Sequence, residues 1–247
     1  MKPFLKKPPF SQSLAHIFVL SSLINLCGCS WLDDADDPSN GLFPMRIGTE
    51  WTYTLESDLK DPSFDQTIVM SVDREVNLKD QKVRVRRSAD GVEYYIKRDQ
   101  TGIYRIASRT DIEDQAKMDE TPRYILKTPI QIGTSWQSTT VPYVLRRPNE
   151  YPKDLKKTHK TIMTYTITKM NETVDVPTGK YTGCVLVRGE ASLKVFTGPL
   201  GGLEETPIIS QEWYCPKVGL VKFEREEQLN GMMMSGGKIS YVLTDIN

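Results

Sequence analysis

Histidine is almost missing from this chain of 247 residues: there are two, and only His159 lies beyond residue 28. No H-x-x-x-H or C-x-x-C spacing occurs, so a structural zinc site has no ligand set and no metal is expected. No G-x-S-x-G elbow is present, and Gly201-Gly202 lacks the Lys-Ser/Thr that completes a phosphate-binding loop. His159 sits in a lysine-rich stretch and makes a poor general base. The expectation is therefore no catalytic residue, no cofactor and no enzyme. Charge of one sign is lacking as well: 32 Lys and Arg balance 32 Asp and Glu, which leaves no basic excess for nucleic acid. Nor is any apolar run long enough to span a bilayer. Leu14 to Leu26 is short of the ~20 residues required and contains Asn25.

That run has a different use. Lys2, Lys6 and Lys7 precede it, and small Gly28 and then Cys29 follow it, the three parts of a secretory signal. Leu26-Cys27-Gly28-Cys29 resembles the lipobox of bacterial lipoproteins. The resemblance implies cleavage before Cys29 and diacylglycerol on its thiol, so that residues 1–28 form a lipoprotein signal peptide. By the same resemblance Ser30 after the cysteine permits transfer to the outer membrane, and the expected location is that membrane, lipid-anchored and facing the periplasm. Residues 29–41 carry Asp33, Asp34, Asp36 and Asp37 and end near Pro-Ser-Asn, the composition of a solvated acidic tether. Loss of three signal lysines leaves the mature chain with a small acidic excess.

Residues 42–247 read as a single all-β domain. Pro44, Ile47, Gly48, Thr49 and Trp51 recur as Pro129, Ile132, Gly133, Thr134 and Trp136. Glu93-Tyr94-Tyr95 before Gly102 is echoed by Glu212-Trp213-Tyr214 before Gly219. These echoes point to an internal duplication, about 43–108 and 128–224. Between them the period is two. Val83 and Val85 alternate with charged residues, and Met163, Tyr165 and Ile167 alternate with threonines. Turn signals separate the runs, among them Gly198-Pro199-Leu200-Gly201 and Ser235-Gly236-Gly237. Only Thr110–Met118 hints at a helix. The expected fold is a curved antiparallel sheet or open barrel of two duplicated β units with one wet face, a sandwich being the alternative.

With Cys27 removed and Cys29 lipidated, Cys184 and Cys215 remain. In an oxidising compartment they suit a disulfide better than free thiols. A symmetric hairpin turning within Gly198–Gly201 sets the two opposite each other, at a Cα separation of ~4.5–5.5 Å. The same register places Glu212 on the face of Val185 and Val187, a conflict that a one-residue bulge would relieve.

Glu93 and Glu212 recur, yet cross-strand pairs with Arg105 and Lys222 explain them without catalysis. Trp51, Trp136, Tyr53, Tyr94, Tyr95, Trp213 and Tyr214 could line a ligand groove or form core. The basic stretch 146–160 could meet phosphate-bearing headgroups or acidic glycans, or be a solvated insertion. Two turns of the last four strands fall on one end of the sheet and are apolar for turns: Leu200 and Leu203 in one, Met232, Met233 and Met234 in the other. They could form one docking patch or fold back into the core.

The I-G-T-x-W boxes, Val176-Pro-Thr-Gly-Lys-Tyr181 and Gly219-Leu-Val-Lys222 resemble marks of a β-rich bacterial envelope lipoprotein family of unknown function. That resemblance implies location and fold, and no chemistry. The reading is an outer-membrane-anchored, non-enzymatic binding or structural module. Its contacts would be the membrane through the lipid and an envelope protein partner. The alternative is a carrier of an apolar lipid or acyl ligand inside an open barrel.

Overall fold

A computed structural model describes residues 41–58, 66–146, 159–231 and 234–247. Cys29, the signal and the acidic tether lie outside the described residues, as do most of 146–160, Met232 and Met233. Among the described residues twelve strands form one sheet: β1 Glu50–Ser57, β2 Thr67–Leu78, β3 Gln81–Ser88, β4 Glu93–Asp99, β5 Gly102–Arg109 and β6 Lys117–Lys127 in the first half. The second half holds β7 Ser135–Thr140, β8 Thr161–Val176, β9 Gly179–Phe196, β10 Leu203–Cys215, β11 Gly219–Asn230 and β12 Ser235–Ile246. All pairings are antiparallel, and the order is β6-β5-β4-β3-β2-β1-β12-β11-β10-β9-β8-β7. Every hydrogen-bonded neighbour but one is also a neighbour in sequence. The exception is β1 on β12, which joins the two ends of the chain.

The sheet curls until its edges, β6 and β7, meet. Side chains close that seam: Trp136 Nε1 donates to the Tyr124 carbonyl at 3.1 Å and Arg123 Nη2 to the Thr139 carbonyl at 2.6 Å. The architecture is a nearly closed, barrel-like sheet, as the alternating pattern predicts. Closing the edges side chain to backbone also protects the unpaired ladder groups of both strands from pairing with another chain. Pro122, which cannot donate to a ladder, sits in β6, where one side needs no donor.

The two I-G-T-x-W boxes have the same local geometry. Gly48 and Gly133 adopt φ of 88° and 91°, a region open to glycine at little cost. Their amides donate to the Val72 and Ile167 carbonyls at 2.8 and 2.9 Å, and Val72 and Ile167 donate back to Thr49 and Thr134. Each box therefore ties the start of its half, β1 or β7, to the following strand.

The expected helix at 110–118 is a turn leading into β6. Thr110 N and Oγ1 both donate to Glu113 Oε2, a local ring that satisfies the segment without a helical ladder. Segments outside the strands fill the sheet's interior. Leu42, Phe43 and Met45 are buried beside Ile96, Ile103 and Val187. The strap 141–146 is held from inside. Glu227 accepts the amides of Tyr143, Val144 and Leu145 at 2.6, 3.0 and 2.8 Å. Arg225 donates to Glu227, to Thr140 Oγ1 and to the Val141 carbonyl, with its guanidinium 3.9 Å from the Tyr143 ring.

Candidate functional site

A partly open cavity of about 280 Å³ lies in the sheet's interior, with side chains from β2 to β8 and β10 on its wall. The sequence pattern of β3 explains how charge comes to line it. Val83 and Val85 bury in a separate cluster with Tyr95, Tyr104 and Ala107. Arg86, one residue on, must point to the opposite face of the pleat, and that face is the cavity wall. The face of β3 expected to be wet is thus turned inward where Arg86 stands. Arg105 on β5 follows the same logic next to Tyr104 and Ile106.

The Arg86 guanidinium lies over two rings, 4.7 Å from the Phe43 centroid and 4.8 Å from that of Trp51. Its Nε has no hydrogen-bond partner among the described residues, and neither has the Oγ of Ser138, another lining residue. Burial lowers the guanidinium below its ordinary value, and the phenols of Tyr53 and Tyr214 offset part of that. Burial likewise pushes Tyr53 up to about 12. Arg105 is differently placed: Asp119 holds it through two bonds of 2.7 and 2.5 Å. Arg123 spends its Nη2 on the Thr139 carbonyl of the seam.

Glu212 is the cavity's carboxyl. Burial raises its pKa, and the hydrogen bond from Tyr214 and the charge of Arg225 only partly counter that. It has no cross-strand lysine: its partner on β11 is Phe223, while Lys222 pairs with Glu224 at 2.9 Å. The expected Glu93–Arg105 pair is corrected too. A bulge at Tyr95/Ile96 sets Arg105 against Ile96, and Glu93 faces Arg109. Arg109, Tyr95 and Arg74 all donate to Glu93. Burial opposes its charge, but those bonds prevail and hold the carboxyl below its ordinary value.

Cys184 and Cys215 form a disulfide at a Cα separation of 4.1 Å. β9 and β10 pair without interruption from Phe196↔Leu203 to Val185↔Tyr214. The bulge invoked to move Glu212 away from Val187 is absent, and Glu212↔Val187 is a direct pair. The cavity removes the conflict, because Glu212 reaches open space there rather than packed core. Gly189, a neighbour on β9, has no such room. A Cβ on it would lie 2.4 Å from Ser210 Oγ and 2.7 Å from Met163 Sδ.

Of the aromatics singled out in the sequence, Tyr94 and Tyr214 line the cavity. Trp51, Trp136 and Tyr53 are buried around it, Trp136 stacking on Tyr165 with centroids 5.8 Å apart. Tyr95 lies in the β3–β6 cluster, and Trp213 carries Lys222 5.0 Å over its ring. The arginines and Ser138 are the lining residues that sequence reasoning missed. For Arg86 the one signal was its place beside buried Val85 on a strand whose second face was assumed to be solvated.

The apolar tips divide. Leu200 is 95% exposed and Leu203 73%, with half-exposed Phe196 beside them in sequence. Met234 is 1% exposed and packs with Leu145, Met163, Ile208 and Leu229, so it is core and leaves the expected patch. The Gly231 amide donates to the Met234 carbonyl at 2.9 Å. The two turns are nonetheless adjacent, a Cβ on Gly231 reaching within 3.8 Å of Thr197.

No protein-family model and no curated protein matches the chain. Among solved structures it is similar to a "putative lipoprotein" from Parabacteroides distasonis, with TM-score 0.44 and 15% identity, covering 83% of this chain and 98% of that one. It is also similar to a "putative exported protein with YmcC-like fold" from Bacteroides fragilis, with TM-score 0.37 and 14% identity at the same coverages. At such scores the site must be read from this chain's own residues.

Proposed function

We propose that the protein is a lipid-anchored, non-catalytic binding module of the bacterial cell envelope, and that its interior cavity is the ligand site. The anchor rests on Leu26-Cys27-Gly28-Cys29, and outer-membrane placement rests on Ser30. The binding reading is carried by one observation. Arg86 and Ser138 both line this cavity, and each has a buried polar atom, Nε and Oγ, without a partner among the described residues. Buried polar atoms are otherwise paired almost without exception, so two orphans on one wall mark where a ligand would supply the missing atoms. The wall carries three arginines, which argues against a wholly apolar acyl cargo. Its one carboxyl, Glu212, is pushed towards its neutral form beside Tyr214 and supplies no ready general base.

The test is native mass spectrometry of the full mature protein released from its envelope, beside Cys29→Ala cells fed labelled fatty acid. A co-purifying small molecule in the wild type, with no label and no signal cleavage in Cys29→Ala, supports both halves. An empty cavity in protein isolated without denaturation counts against the ligand site, and label in the variant counts against the anchor.

A second reading has its own observation. Leu200 and Leu203 remain exposed at the β9–β10 tip. The chain's entry into the sheet is at the other end, where Lys217 N donates to the Gly41 carbonyl beside the β10–β11 turn. A tip directed away from the tethered end suits an envelope protein partner better than the anchoring membrane.

A further inference from the structure

Resting on the cavity as ligand site, we infer that its occupant is a small organic oxyanion, carboxylate- or phosphate-headed, with a short aromatic or apolar body and Arg86 as its anchor. The Phe43 and Trp51 rings lie against the Arg86 guanidinium, 4.7 and 4.8 Å from it, and its N–H edge is what it offers a ligand. Tyr53 takes part of that edge, and Nε is left. A guanidinium edge is a planar fork of N–H donors that matches the oxygens of carboxylate or phosphate, and a cationic ligand could not use it.

The charges on the wall agree. Asp119 neutralises Arg105. Arg123 bonds a backbone carbonyl and Arg86 has aromatic and phenol neighbours, so neither shows a carboxylate partner among its bonds at the wall. Glu212 is driven towards its neutral acid form, in which it can donate to an oxyanion rather than repel it. Ser138, a lining residue whose Oγ has no partner among the described residues, adds a hydroxyl. The rest of the wall is Met70, Ile96, Ile125 and tyrosine rings, which fits an apolar or aromatic body and not a bare ion. A buried cation without a counter-charge is costly, and an anionic occupant would remove that cost.

The experiment titrates the full mature protein, held in nanodiscs, with four water-soluble probes: benzoate, phenyl phosphate, benzyl alcohol and benzylammonium. At least one anion should bind at one site per chain, about tenfold or more tighter than benzyl alcohol, as charged hydrogen bonds imply, and benzylammonium should bind weakest. The stronger of benzoate and phenyl phosphate identifies the head group. Arg86→Gln should remove the preference of anion over alcohol. Ser138→Leu, which fills the cavity while leaving Arg86 in place, should abolish binding of every probe. Benzyl alcohol binding as tightly as the anions would overturn the oxyanion inference and leave the cavity as a ligand site. Binding that survives Ser138→Leu, or no binding of any probe to folded protein, would overturn both.

Discussion

Glu212 and Tyr214 stand two residues apart on β10, and the Tyr214 hydroxyl donates to Glu212 Oε2 at 2.5 Å inside the cavity. Tyr165 on β8, Arg225 on β11, and Arg86, Arg105, Arg123, Tyr94 and Tyr124 on the cavity wall make up its charged and titratable surroundings. Because burial raises the Glu212 pKa, the folded protein holds its proton above pH 4.5, where the unfolded chain has released it. The stability Glu212 contributes is therefore full below about pH 4.5 and is lost as pH rises through the folded value. Glu212→Gln should melt close to wild type at pH 4.5 and above it at pH 8. Thermal melts of both proteins across that range check this; a variant gap that shrinks with rising pH would mean the carboxyl is charged in the fold.

Arg225 and Glu227 are the buried ion pair, both side chains at 2% exposure or below. Removing one partner strands the other, so Glu227→Ala should cost about 3–5 kcal/mol in urea unfolding. The usual rescue by an apolar pair should fail here. Arg225→Met with Glu227→Leu removes both charges, but leaves the amides of Tyr143, Val144 and Leu145 without their acceptor. A double variant as stable as wild type would show that the strap needs no acceptor.

The Cys184–Cys215 bridge joins fully buried residues 31 positions apart. Replacing both with alanine should lower stability by about 3–4 kcal/mol on the chain-entropy account. Native protein treated with dithiothreitol should release no thiol until urea is added, and a thiol count in the two conditions reads this directly.

The two apolar tips should respond oppositely to substitution. Leu200→Ser with Leu203→Ser removes exposed side chains and should move stability by no more than about 0.5 kcal/mol. Met234→Ala empties a core site and should cost about 2–5 kcal/mol. Denaturation of both variants, with capture of envelope proteins by the first, separates surface from core.

Strand character, turn positions and the cysteine pairing are all local or nearly local, and the residues carry them. Alternation with period two marks β3, β8 and β9, and the glycine-proline turn at 198–201 sets a hairpin whose symmetric register brings Cys184 to Cys215. What local pattern could not decide is which face of a strand looks inward. Arg86 alternates with Val85 as a solvated residue would, and Glu212 shares a face with Val187 as an error would. Both become cavity residues only because a twelve-stranded sheet curls until β6 meets β7, and so encloses a face that an open sheet would leave wet. Met234 is the converse, an apolar turn residue that packs into the core with Leu145, Met163, Ile208 and Leu229. The pleat, with its period of two, assigns residues to faces; long-range closure, made by side chains distant in sequence, decides which face is the inside.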